Sequence, residues 1–153
     1  MIRRTLLVLA AAAATATATW AATLPYNETA DAKAELRDAL AQAGPSRLPV
    51  LVIFGANWCE DCRALDAALK SGKNAELMAK SFKVVKVDVG NFNRNLDLAA
   101  SYGNPIKKGI PAAVVLSPDN QLIYATRGGE LADARHMSET GIYDFFSAHA
   151  KHP

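Results

Sequence analysis

The chain holds two cysteines, three positions apart in the segment Trp58-Cys59-Glu60-Asp61-Cys62. The thiolate is the reacting form of a cysteine, and it is favoured beside positive charge or at a helix N-terminus. In a first helical turn the backbone N–H groups lack partners and the dipole end is positive, so a cysteine placed there can carry negative charge. A separation of three sets both sulfurs on one helix face, close enough to close a small ring. Such a pair can pass between dithiol and disulfide: Cys59 attacks a disulfide sulfur, and Cys62 resolves the mixed disulfide. Three other uses suit two cysteines. A structural staple is one, although so short a ring removes little entropy from the unfolded chain. Half of a zinc site is another, but no second cysteine pair exists and the three histidines are remote in sequence. The third is an inert pair.

The chemistry depends on elements that present Cys59 at a helix start. Residues 49–54 (PVLVIF) form an unbroken apolar run rich in β-branched residues, the pattern of a strand covered on both faces. Gly55 to Trp58 turns the chain, and 59–69 reads as a helix with Cys62, Leu65, Ala68 and Leu69 along one face. Before the strand, Ala32, Leu36, Leu40 and Ala43 predict a helix over 31–43, ended by Gly44-Pro45. After it come a short helical continuation over 74–80, a strand over 82–89 (FKVVKVDV) and a helix over 93–102 ended by Gly103. Residues 112–116 (AAVVL), the turn Pro118-Asp119-Asn120 and residues 122–126 read as a β-hairpin. A last helix over 141–149 turns Ile142, Phe145 and Phe146 inward. The order α-β-α-β-α-β-β-α predicts an α/β fold with a mixed sheet between helices.

At 153 residues, half of them apolar and 21% charged, the sequence describes one globular domain. That apolar content argues against disorder, and two cysteines exclude a disulfide-dense miniprotein. Residues 1–21 read separately as a signal peptide. Arg3 and Arg4 form a basic start, Leu6 to Ala14 a short apolar run, and small residues allow cleavage after Ala18 or Ala21. An uncleaved membrane anchor is the alternative, since residues 5–27 carry no charge, but their Ala/Thr half is weakly apolar. Export implies a periplasmic or secreted protein in an oxidising compartment, with a single domain over 27–153. Two of the 17 basic residues lie in the leader, leaving 15 against 15 acidic ones. The mature domain is near neutral, so no nucleic-acid partner is expected. Nothing in the sequence demands more than a monomer.

From Leu48 to about His149 the chain resembles the thioredoxin-like superfamily, in its exported thiol–disulfide oxidoreductase branch. VLVIFGANWCEDC is similar to the family's strand and active-site segment, FKVVKVDV to its next central strand, and GIPAAVVL to the segment that opens with its cis-proline. The resemblance implies a central mixed sheet flanked by helices and dithiol–disulfide exchange with no dissociable cofactor. It makes Cys59 the nucleophile and Cys62 the resolving cysteine. It also implies that Pro111 is the cis-proline beside the disulfide, and that the backbone of Ile110 pairs with an extended substrate strand. By the same resemblance Trp58 covers the site as a contact platform, or simply packs.

The departures from the family pattern bear on mechanism. Thioredoxins proper carry a buried acid six residues before the first cysteine, and here that position is Ile53. Lys86 matches the family's lysine on the next strand but lacks that acid as partner; otherwise it is an ordinary polar strand residue. Asp88 is available for part of the missing role through water. Glu60 and Asp61 replace the Gly-Pro of thioredoxin. Two carboxylates disfavour a neighbouring thiolate, so the expected couple is reducing and the protein a reductant of extracytoplasmic disulfides. The alternative is that both acids are solvated at a helix start. A reductant in an oxidising compartment needs recharging, and a membrane thiol-reductant relay is the expected source. Lys107 and Lys108 flank the expected substrate groove in what reads as a solvated loop. Residues 127–140 form an extension whose His136 reads as a surface residue. A second functional class is a binding module that captures a client or a soft ion such as Cu(I) at the two thiolates, with His136 and Met137 as further ligands.

Overall fold

The computed structural model describes residues 23–150, so the leader and its cleavage site lie outside the described residues. Within this range the elements run α1 (Ala32–Ser46), β1 (Val50–Gly55), α2 (Glu60–Leu69), α3 (Gly72–Ser81), β2 (Lys83–Asp88), α4 (Leu96–Ser101), β3 (Ala112–Leu116), β4 (Leu122–Ala125) and α5 (Glu139–Ala150). Two 3-10 turns, Pro105–Lys108 and Ala134–His136, lie in the connections before β3 and after β4. The four-stranded sheet has the order β2-β1-β3-β4. β1 pairs in parallel with β2 and antiparallel with β3, and β3 with β4 is antiparallel. This is the mixed α/β architecture that the sequence predicts.

β1 is buried along its whole length, and its two-residue period sorts side chains to opposite faces. Val50, Val52 and Phe54 meet Leu36 and Ala43 of α1 together with Val85 and Val87. Leu51 and Ile53 meet Leu65 and Leu69 of α2, Phe82, and Ile142 and Phe146 of α5. Each such aliphatic or aromatic side chain contributes roughly 1.5–3 kcal/mol on burial. The strand that leads into the cysteines is therefore fixed from both sides.

Two expectations need correction. Gly44-Pro45 does not end α1, which continues to Ser46. A proline in a last turn removes a single amide, and here the Ser46 hydroxyl donates to the carbonyls of Gln42 and Ala43 while left-handed Arg47 closes the helix. The helix expected from residue 93 begins only at Leu96. Gly90, Phe92 and Asn95 all take positive φ, so residues 90–95 turn on themselves before a helix can start.

Candidate active site

Cys59 caps α2. Its backbone is extended, and its Sγ accepts the N–H of Cys62 at 3.1 Å. This is the helix-start position that the sequence requires, and the donated N–H suits a sulfur carrying negative charge. The two cysteines are joined as a disulfide. Cys59 is 6% exposed and Cys62 fully buried, so an approaching group meets Cys59 first. The peptide bond between Ile110 and Pro111 is cis, and the Ile110 carbonyl oxygen lies 3.7 Å from Cys59 Sγ. Two segments 51 residues apart thus meet at the outer sulfur.

Trp58 is 55% exposed. Its Nε1–H donates to the Gly90 carbonyl at 2.9 Å, and its ring meets the edge of Phe92 at a centroid distance of 6.3 Å. Phe92 and Leu96 are exposed as well, so an apolar surface borders the disulfide. Phe92 was not singled out from sequence, because a lone aromatic in NFNRN carries no periodic signal.

The acidic dipeptide is not left to solvent. Arg135, from the extension after β4, pairs through Nη1 with the Glu60 carboxylate. Its backbone N–H donates to Asp61 Oδ1 at 3.0 Å, and its Nε lies 3.7 Å from the same oxygen. Charge counting on the motif alone lacks this cation, since Arg135 lies 74 residues from Asp61. His136 beside it is exposed and bonds Asp133 through Nδ1 at 2.6 Å, while Met137 packs against the core on the α2 side of the sheet. Among the described residues no three His, Cys, Asp or Glu side chains cluster as a metal site would need.

Lys86 does have a partner. Its ammonium pairs with Asp66, which also takes Lys70 Nζ at 2.7 Å. Burial pushes the Lys86 ammonium below its ordinary value. Ile53, where the strand acid would be, is part of the core, and the acid comes instead from α2, one turn after Cys62. Asp66 was missed from sequence, although an acid four residues after Cys62 on the helix's apolar face was a readable signal.

Tyr26 was missed too, because no periodicity runs through residues 23–30. It is buried against the cysteines. Its N–H donates to Asn57 Oδ1 at 2.9 Å, and Asn57 Nδ2 donates back to its carbonyl at 2.8 Å. The same Nδ2 reaches Glu28 Oε1, and Arg94 donates to the Glu28 carbonyl. Asp88, also buried, has Arg94 Nη1 at 3.3 Å from its Oδ2.

Comparison with known proteins agrees with this geometry. A family model described as thioredoxin-like matches residues 31–118. A solved structure of a disulphide isomerase from Xylella fastidiosa is 55% identical, with a TM-score of 0.83, covering 86% of this chain and all of that one. The oxidised C-terminal domain of DsbD from Neisseria meningitidis is 20% identical, with a TM-score of 0.53, over 75% of this chain and 94% of that one. A thioredoxin from Thermus thermophilus is 22% identical, with a TM-score of 0.52, over 73% and 78%; these two likenesses speak to fold alone. No curated protein sequence matches the chain at a significant level. A matched model spanning more than half the chain, over a mixed sheet that delivers a CxxC disulfide to a helix start, makes this protein a member of the thioredoxin-like family.

Proposed function

We propose that the chain is an exported thiol–disulfide oxidoreductase that works from its reduced form on disulfides of extracytoplasmic proteins. The observation that carries this reading is Cys59 at the cap of α2, its sulfur held by the Cys62 N–H and facing the Ile110 carbonyl while Cys62 is sealed beneath. In the proposed cycle the Cys59 thiolate attacks a client disulfide and the client's first sulfur leaves as thiolate. Cys62 then attacks Cys59 Sγ, releasing the second client thiolate and leaving the Cys59–Cys62 disulfide. If a client thiol resolves the mixed disulfide before Cys62 does, the client is isomerised rather than reduced. That is the activity named for the Xylella fastidiosa relative. Both outcomes start from the dithiol, and no dissociable cofactor takes part.

An extended client segment would run beside Ile110 and Pro111, offering its backbone to Ile110, with Trp58 and Phe92 as the apolar border. The charge pattern supports a reductant. Arg135 offsets Glu60 and Asp61, while the Asp88 carboxylate is buried with Arg94 3.3 Å from one of its oxygens; its charge is shared with that arginine but acts through a lower dielectric than a surface charge does. A thiolate disfavoured by such neighbours makes the disulfide the preferred state. A periplasmic or secreted monomer recharged by a membrane thiol relay completes the reading, and no helix among the described residues is long and apolar enough to cross a membrane.

The test is the reduction potential of the Cys59–Cys62 couple, followed by Trp58 fluorescence in thiol buffers. A value at or below about −230 mV places the protein with reductants. One near −120 mV, the range of strong oxidants, would overturn the direction. Alongside it, Cys59→Ser should abolish exchange, whereas Cys62→Ser should accumulate a mixed disulfide with clients.

A further inference from the structure

Beside the disulfide lies a cleft of about 360 Å³, lined by Phe92, Leu96, Ile106, Lys107 and Gly109 together with Asn104. It adjoins the outer sulfur from two directions. Gly109 precedes Ile110, whose carbonyl oxygen is 3.7 Å from Cys59 Sγ, and the Phe92 ring meets Trp58, which precedes Cys59. Ile106 lines the cleft from the core, whereas Phe92 and Leu96 are each 43% exposed. Phe92 stands there at a conformational cost. Its φ is +57°, a left-handed backbone that is an outlier for a bulky side chain, and folding gains little from a ring left so open to water. Strain held beside the reacting atoms points to binding. The charges narrow the choice of occupant. Glu60 and Asp61 are paired with Arg135, and Asp88 with Arg94. Lys107 and Lys108 are exposed and form no ion pair among the described residues, so the side of the groove next to the cleft is left positive.

We propose that this cleft selects clients: it takes a bulky apolar side chain two residues from the client's reacting cysteine, and Lys107 at its rim favours an acidic residue beside that side chain. The inference rests on the oxidoreductase reading above and names the class of client. A client segment paired with Ile110 as a strand turns alternate side chains to the same face. With its cysteine at Cys59, the residue two positions away on the Gly109 side lies about 7 Å along the strand and faces the protein again, over the cleft. Phe92 and Leu96 then lose their exposed apolar surface to the client side chain, with Ile106 beneath it. The strained backbone of Phe92 is accounted for, because the ring gains its cover only when a client is bound. Lys107 attracts a neighbouring carboxylate from the rim, where charge acts mainly on the rate of encounter and is sensitive to salt.

The experiment compares short peptides, each joined through a single cysteine to a coloured aromatic thiol. Attack by Cys59 of the reduced full-length protein on the peptide sulfur releases that thiolate. One peptide carries leucine two residues from the cysteine on both sides, a second carries glycine there, and a third adds glutamate next to each leucine. The wild type should release from the leucine peptide about tenfold faster than from the glycine peptide, as burial of one such side chain implies. The glutamate peptide should be faster again at low salt, and that gain should vanish at about 0.5 M salt and in Lys107→Gln. Each variant is read as the ratio of its own rates on the first two peptides, so a general loss of activity cancels. Asparagine tolerates left-handed backbone, so Phe92→Asn should unfold no earlier than the wild type and yet bring the ratio close to one; Leu96→Ala should lower it. A ratio near one in the wild type, or one that Phe92→Asn leaves unchanged (Leu96→Ala, should that variant not fold), overturns the cleft as the selecting site, while release from both peptides keeps the oxidoreductase reading intact. A glutamate gain that survives Lys107→Gln overturns the part given to the lysine. No release from any peptide by the wild-type dithiol would overturn the oxidoreductase reading and the cleft with it.

Discussion

Arg135 changes what the dipeptide between the cysteines can do. Glu60 and Asp61 alone would press negative charge against the outer sulfur, and Arg135 meets both of them. Arg135 and Glu60 are largely exposed while Asp61 is mostly covered, and exposed ion pairs contribute about 0–1 kcal/mol; for a two-electron couple that corresponds to about 20 mV or less. Arg135→Ala should therefore make the couple more reducing, by about 10–20 mV. Glu60→Gln should shift it the other way, and the two effects should not add, because each residue works through the other. Equilibrium with a thiol buffer of known potential reads the two single variants and their combination. A shift towards oxidising values in Arg135→Ala would show that the arginine acts by holding the extension in place rather than by charge. At this scale the sequence was half legible. The cysteines, Trp58, Ile110 and Pro111 could be named because they lie in local motifs, whereas Arg135 and Tyr26 reach the site across folded distances that no motif spans.

The extension between β4 and α5 is the element that sequence reading left without a role, and its packing supplies one. Gly129 has φ +79°, and a Cβ there would stand 2.8 Å from the Lys108 carbonyl oxygen. One end of the extension is thereby pressed against the turn that precedes Ile110 and Pro111, while Arg135 further along touches α2. Glu130 fixes the bend by accepting the N–H groups of Arg127 at 3.0 Å and Gly128 at 3.0 Å. Slight burial opposes its charge, but these backbone donors outweigh it and hold the carboxyl below its ordinary value. A depressed carboxyl stabilises the folded form above its ordinary value and loses that effect as pH falls through the lowered one. The Arg127 and Gly128 amides should consequently be protected from hydrogen exchange at neutral pH and lose protection below about pH 4. Glu130→Gln should remove this pH dependence. Protection unchanged between neutral and acid conditions in the wild type would show that the bend does not depend on the carboxylate. The regular elements were readable because strand and helix periods are local, as the full match of β3 with its expected 112–116 shows. The misreadings fell at Gly44-Pro45 and residues 90–95, where capping and left-handed turns override periodicity.

For the whole molecule, the redox direction and the stability of the fold are one quantity seen twice. A disulfide closing so short a ring constrains the unfolded chain little, so any difference in stability between oxidised and reduced protein reports mainly on the folded surroundings of Cys59 and Cys62. Those surroundings give the outer sulfur one backbone N–H, from Cys62, and set the Tyr26 phenol near the inner one, with the buried Asp88 carboxylate on the next strand in register with Gly55 and paired with Arg94. If that balance disfavours thiolate, the oxidised protein must be the more stable form, in the sense opposite to strong oxidants, whose reduced forms are stabilised. Each 30 mV of potential corresponds to about 1.4 kcal/mol, and 1 kcal/mol moves the midpoint of a domain this size by a few degrees. Thermal unfolding of the two redox states at neutral pH should place the oxidised midpoint higher. Asp88→Asn should narrow the gap from the reduced side, because it removes the buried charge that a thiolate has to face. A reduced form that melts above the oxidised one would mean that the helix start outweighs the buried carboxylate, and that the protein donates disulfides rather than removing them.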